Sequence, residues 1–179
     1  MKSLKNFIFL RIGVRGKNIS YGINMHVGPF SRIWAPNHLR IGRNFYCGKF
    51  VTIECDGVIG DHVLIANNVG IVGRNDHDHN QVGVTIFNAD WVGNEPRLSS
   101  KIKIGSDVWI GYGAIILAPV TIGNHAIIAA GSVVRSDVPD FAIFAGNPAD
   151  IVAWRFSDNK QREWHAREFT NLDISNQIS

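Results

Sequence analysis

The chain has 179 residues, room for one domain with an appendage, and its 45% hydrophobic and 18% charged content allows a buried core and excludes bulk disorder. The net charge of +3 is mild and Lys and Arg are scattered singly, which argues against a nucleic-acid binder and leaves small anionic ligands open. The two cysteines, Cys47 and Cys55, supply neither a disulfide framework nor a CxxC metal spacing, which fits a reducing cytoplasm.

The N-terminal MKSLKNFIFLRIG carries a short apolar run, Phe7 to Leu10, that Arg11 soon interrupts. It is too short for a signal core or a membrane span, so it reads as a capping strand or helix of a soluble intracellular protein with no integral membrane segment. Val27, Ile33 and Leu39 then echo a six-residue period, out of phase with the residues from Ile41 onward. Residues 1–40 are therefore expected to form an irregular first coil.

From Ile41 the period becomes regular. Every sixth residue is Ile41, Cys47, Ile53, Ile59, Ile65 and Ile71, and again Ile104, Ile110, Ile116, Ile122, Ile128 and Val134; eleven of the twelve are Ile or Val. Gly or Ala often follows, and the fifth residue of each hexad is mostly small or β-branched. A period of six fits neither a helix nor an alternating strand. It fits a chain that runs straight, turns and repeats, with one branched side chain per hexad on a common axis: a parallel β-helix whose triangular coil takes three hexads. The small residues are read as the corners, which also accounts for the 18 glycines.

Ile71 and Ile104 lie 33 positions apart, not a multiple of six, so part of this span leaves the coil as a loop, about residues 77–101. A long excursion from a regular solenoid is uncommon unless functional. The stretch GRNDHDHNQVG, with Asp76, His77, Asp78 and His79, sits where it departs. After Val134, Pro139 and Pro148 end the coils, AGNPA reads as a tight turn, and residues 157–179 have helical character. Ser157 or Asp158 is the expected N-cap, and Phe156, Trp164 and Phe169 the apolar anchors. The domain thus spans 1–156, with a C-terminal helical tail that packs on a neighbour or caps the solenoid.

The run IGSDVWIGYGAIILAPVTIGNHAIIAAGSVVRSDVPDFAIFAGNPADIVAWRF closely resembles the C-terminal half of hexapeptide-repeat acyltransferases, among them galactoside/maltose, xenobiotic and polysaccharide O-acetyltransferases. The resemblance covers about residues 41–156 and rests on VWIG, the hexad series and AGNPA. It implies an all-β fold, a left-handed parallel β-helix, in a homotrimer that binds acetyl-CoA between subunits. It also implies a loop histidine that deprotonates the acceptor hydroxyl for direct attack on the thioester. By position this histidine matches His77, with His79 second. Trp109 matches a tryptophan beside the pantetheine, while Gly111, Tyr112, Ala130 and Gly131 match backbone of the cofactor cleft. Arg135 and Ser136 match a pair near the pantetheine and adenine, and Asn147 and Pro148 a turn near the adenosine. Three departures stand out. Asp150 occupies a position often basic, leaving the 3′-phosphate to Arg155 or Arg135; Asp78 follows the histidine where the sugar enzymes have Pro; and Gly48 replaces their Asn.

The chemistry can be argued from the residues too. A sugar hydroxyl is a poor nucleophile, and a positioned imidazole with pKa near 6.5 can take its proton as the bond forms. Asp76, Asp78 or a backbone carbonyl could hold the second ring nitrogen. His77 and His79 share a face of an extended segment and could bind zinc, but the chain lacks the three-histidine spacing of the zinc-dependent carbonic anhydrases built on this solenoid; no metal is expected. Trp34 and Trp91 read as loop or interface packing, with Trp91 a candidate for stacking on a sugar. The expected function is acetyl-CoA-dependent O-acetylation of a sugar hydroxyl, in a surface polysaccharide or its precursor. An N-acetyltransferase of amino sugars, a xenobiotic acetyltransferase, a zinc lyase and a non-catalytic scaffold remain alternatives.

Overall fold

The branched residues at six-residue spacing all turn inward. Ile33, Ile53, Ile71, Ile116 and Val134 lie in register up one sheet. Ile41, Ile59, Ile104 and Ile122 do so up a second, and Val27, Cys47, Ile65, Ile110, Ile128 and Phe144 up a third. The computed structural model describes residues 4–178, with side chains over 8–171.

The strands follow coil by coil. They are β1 (Val14–Arg15), β2 (Ile19–Tyr21) and β3 (His26–Val27), then β4 (Arg32–Trp34), β5 (Leu39–Ile41) and β6 (Tyr46–Cys47). Next come β7 (Thr52–Glu54), β8 (Asp56–Ile59) and β9 (Leu64–Ile65), then β10 (Gly70–Gly73), β11 (Lys101–Ile104) and β12 (Trp109–Ile110). The last are β13 (Ile115–Ala118), β14 (Val120–Ile122), β15 (Ile127–Ile128), β16 (Val133–Val134), β17 (Ala142–Gly146) and β18 (Ala149–Trp154). As far as β16 every third strand joins the same sheet: β1, β4, β7, β10, β13 and β16 form sheet A, β2, β5, β8, β11 and β14 sheet B, and β3, β6, β9, β12 and β15 sheet C, which β17 then rejoins directly after β16. All these pairings are parallel; only β18 is antiparallel, folding back on β17 to close sheet C. The result is a three-faced parallel β-solenoid, as the hexads predict. Each fully buried Ile in its axis contributes about 1.5–3 kcal/mol of hydrophobic stabilisation.

The corners differ from the expectation. Of the fifth hexad residues, Val51, Val63, Val69, Val108, Ala114, Val120, Ala126, Ser132 and Val138 are buried, filling the core behind the corner, and Gly57 is half-buried. The turn itself belongs to the fourth residue, which takes a left-handed backbone. These are Asn44, His62, Asp107 and His125 between sheets B and C, and Phe50, Asn68, Gly113 and Gly131 between C and A. The glycine after the ladder residue has another role: it lets coils approach. A Cβ on Gly105 would lie 2.7 Å from the Asn124 backbone nitrogen of the next coil.

The first coil is also more regular than expected. β1, β2 and β3 pair in register with β4, β5 and β6. The phase offset comes from two residues inserted near Ala35–Asn37: Ile33 pairs Ile53, twenty positions on, whereas Ile41 pairs Ile59, eighteen on. The N-terminal run forms helix α1 (Leu4–Gly13), whose Leu10 packs on the core at the open end of the solenoid.

At the other end, helix α2 (Asn159–Ile178) begins at an Asp158 cap, whose carboxylate accepts from the Lys160 N–H at 3.0 Å. It lies along the corner between sheets B and C. Phe169 meets the edges of His62 and His125, and Phe156 packs on His165. Trp164, expected as an anchor, is 57% exposed; the anchoring aromatic between Phe156 and Phe169 is His165. No described helix is long and apolar enough to cross a membrane.

Candidate active site

The chain leaves the solenoid after Gly73, at the end of a sheet A strand, and re-enters it at Lys101, in sheet B. Arg74 fastens the departure point: its guanidinium donates to the carbonyls of Leu117 and Arg135, on the two coils stacked beyond. The two limbs of the loop then pair. Val92 N–H donates to the Asp76 carbonyl at 2.8 Å and Asp78 N–H to the Asp90 carbonyl at 2.9 Å, which sets His77 opposite Trp91 in an antiparallel bridge. Side chains of directly opposed residues project to the same side, so the His77 imidazole and the Trp91 indole share one face of the loop.

Trp91 stacks with Trp34 of β4 at 6.3 Å between centroids and 12° between planes, tying the loop to a strand two coils back from its departure. Its ring also lies against Gly93, where a Cβ would come within 2.1 Å of the indole. Asp56, at the start of β8, supports this corner. Its buried carboxylate accepts from the N–H groups of Asn37 and His38, both at 2.8 Å, and from the Asn37 amide, which in turn reaches the Pro96 carbonyl. Burial works to raise the Asp56 pKa, but these hydrogen bonds win and hold it below the usual carboxylate value.

Of the candidate catalytic residues, His77 is half-buried, with Nδ1 3.5 Å from the Asp76 carboxylate. The Asp78 carboxylate turns away, to the Asn80 N–H at 3.1 Å and to Arg97 at 3.4 Å. His79 is exposed and makes no hydrogen bond or ion pair among the described residues. The geometry therefore pairs His77 with Asp76 and gives Asp78 to the loop scaffold.

The other site residues fall into separate groups. Gly111, Tyr112, Ala130, Gly131, Asn147 and Pro148 stack in successive coils along the corner between sheets C and A, where the Gly131 N–H donates to the Tyr112 carbonyl at 2.8 Å. Arg135 and Ser136 follow β16 at the corner between sheets A and B, beside the loop departure. Trp109 stands on the outer face of sheet C, 52% exposed. In a triangular section, the corner between A and B lies opposite face C. One chain does not bring the His77 loop and Trp109 into one pocket.

Trp109 instead lines an open groove of about 500 Å³ with Tyr46, Leu64, Ile127, Asp107 and Arg155. Arg155 is committed at its end: Nη1 donates to Asp107 Oδ2 at 2.7 Å. The same oxygen accepts from His125 Nδ1 at 3.0 Å and His165 Nε2 at 2.9 Å. Burial opposes the Asp107 charge, but the two histidine hydrogen bonds and the Arg155 cation hold its carboxyl well below the usual range. Two imidazoles and a carboxylate are a metal donor set. Here the guanidinium already supplies the cation, so as folded the cluster is a brace between α2 and the solenoid. Neither Asp107 nor His165 had a signal in the hexads, since each belongs to a contact between segments far apart in sequence.

Comparison with known proteins agrees with this architecture. The family described as Bacterial transferase hexapeptide (six repeats) matches residues 101–136. Galactoside O-acetyltransferase of Escherichia coli (strain K12) is 32% identical over 152 residues, 84% of this chain and 63% of that protein. A probable macrolide acetyltransferase of Lysinibacillus sphaericus is 35% identical over 136 residues, 65% of this chain and 75% of that protein. A solved galactoside acetyltransferase in complex with coenzyme A superposes with a TM-score of 0.63 at 32% identity, covering 79% of this chain and 67% of that one. The chain thus spans a little under two thirds of the length of the galactoside enzyme it matches in sequence.

Proposed function

Because the chain belongs to the hexapeptide-repeat acetyltransferases, we propose that it transfers an acetyl group from acetyl-CoA to a hydroxyl of a sugar, in a surface polysaccharide or its precursor, with His77 as general base. The observation that carries this reading is the loop histidine at 3.5 Å from Asp76, held across a backbone bridge from an exposed tryptophan. An indole offers an apolar face on which the C–H face of a pyranose can stack. A sugar on Trp91 would present its hydroxyls on the side to which His77 points.

In the proposed reaction the substrate thioester supplies an activated acyl carbon. His77, neutral, takes the acceptor hydroxyl proton as its oxygen bonds to that carbon, and the imidazolium returns the proton to the departing sulfur. Asp76, if it holds the Nδ1 proton, fixes the tautomer with Nε2 toward the acceptor and stabilises the positive charge that forms. The groove along sheet C fits the cosubstrate in kind: Tyr46, Leu64, Trp109 and Ile127 offer an apolar track, at whose end Arg155 is held by Asp107. Since the loop and this groove lie on opposite sides of one chain, we read the complete site as shared between subunits of a homotrimer. Acetyl-CoA dependence and two buried thiols, each pushed up to about 12 by burial, suit a reducing cytoplasm.

The test is thiol release from acetyl-CoA with a panel of oligosaccharide acceptors. The reading expects His77→Ala to abolish acceptor-dependent release; full activity in that variant would end it.

A further inference from the structure

We infer that Arg97 is the positioning residue of this site: it sets the His77–Trp91 pairing by neutralising three carboxylates that would otherwise open the loop. This rests on reading His77 as the base. Arg97 stands on the returning limb and reaches Asp90 Oδ2 at 2.9 Å, Asp78 Oδ2 at 3.4 Å and Glu95 Oε2 at 3.5 Å. Two of these flank the bridge. Asp78 follows His77, Asp90 precedes Trp91, and their backbones are joined by the 2.9 Å hydrogen bond from Asp78 N–H to the Asp90 carbonyl. Like charges on neighbouring cross-strand positions push two limbs apart. Here they are tolerated because one guanidinium lies on both.

Singly, surface pairs of this kind contribute little. The case for Arg97 is its position, not its strength. The loop limbs are joined by few backbone bonds, and two carboxylates sit on the pair that aims the imidazole. The planar fork of Arg can donate to several oxygens at once, which a lysine ammonium on a flexible stem does less well. The charged groups about the bridge are Asp76 at the His77 ring, Asp78, Asp90, Glu95 and Arg97 on the loop, and beside Trp34 the pair of Arg32, on its own strand, with Glu54, on the strand next to it. Arg97 is the cation that the loop itself directs at these carboxylates.

The experiment compares Arg97→Ala, Arg97→Lys and His77→Ala in the full chain by steady-state acetyl transfer across pH. Arg97→Ala is expected to lower kcat ~10- to ~100-fold, the size of effect that a displaced catalytic group produces, with KM for acetyl-CoA unchanged. The acid limb of its kcat/KM profile moves to higher pH, because carboxylates left without their cation favour the protonated ring. Arg97→Lys returns the limb to its original place while recovering only part of kcat. Asp78→Asn with Asp90→Asn in the Arg97→Ala background also returns the limb, which a loop that had merely unfolded would not do. If His77→Ala is inactive and Arg97→Ala keeps both kcat and pH profile, the inference on Arg97 is wrong and the base assignment stands. If His77→Ala is active, both fall.

Discussion

His77 and His79 differ by two positions, and the fold separates them by environment. His77 sits in the paired base of the loop with Asp76 at its Nδ1, whereas His79 points outward without a partner among the described residues. His79→Ala is therefore expected to retain most of the transfer activity that His77→Ala loses; the reverse order in the same assay would move the base to His79. Gly93 is a second residue on which the site depends. A Cβ there would come within 2.1 Å of the Trp91 ring, and backbone and ring cannot both stay. Gly93→Ala should displace the indole, seen as a shift in tryptophan fluorescence, and raise KM for the acceptor more than KM for acetyl-CoA. The histidines were legible in sequence because a regular period breaks beside them. Their partners were not: Asp76 and Asp78 are equivalent in sequence, and only the folded loop turns one to His77 and the other to Arg97.

At the scale of elements, the hexads made the sheets legible because the ladder is a one-dimensional pattern: within a regular coil, as from Ile41 to Ile59 or Ile104 to Ile122, the register partner lies three hexads on. The corners were misread because a small or β-branched residue can serve either a turn or a crowded core. The left-handed φ values assign the turn to Asn44, His62, Asp107 and His125. Helix α2 docks on that corner ladder through a contact no period announces, His165 to Asp107. Asp107→Asn removes the charge that three donors share and leaves Arg155 without its anion. A loss of about 1–3 kcal/mol is expected, with α2 amides exchanging faster than the coils by hydrogen exchange. The sign of the pH effect follows from the carboxylate. Its folded pKa is depressed, so its contribution is present above the ordinary carboxylate value and lost as acid protonates it below that value. Wild-type protein should lose α2 protection below about pH 4, while Asp107→Asn, already without the charge, loses little more. Equal acid sensitivity in both would remove Asp107 from the brace.

The whole molecule joins these scales through a geometric constraint. A three-sided solenoid holds its side chains on faces and corners that cannot bend toward one another. The loop carrying His77 leaves the corner between sheets A and B, while Trp109 stands on sheet C, across the full width of the core. If both serve one reaction, the base and the thioester groove come from different subunits. His77→Ala and Trp109→Ala would then disable opposite halves of each site. Trimers assembled from equal amounts of the two variants should regain about a quarter of wild-type activity, since one in four random interfaces joins an intact loop to an intact groove. The measurement is mixing after unfolding and refolding the two variants together, with each variant refolded alone as the inactive reference. A mixture no more active than its parts, in protein whose sedimentation mass is that of a trimer, would mean that each chain builds its site alone. The groove on sheet C would then have to serve something other than the His77 chemistry.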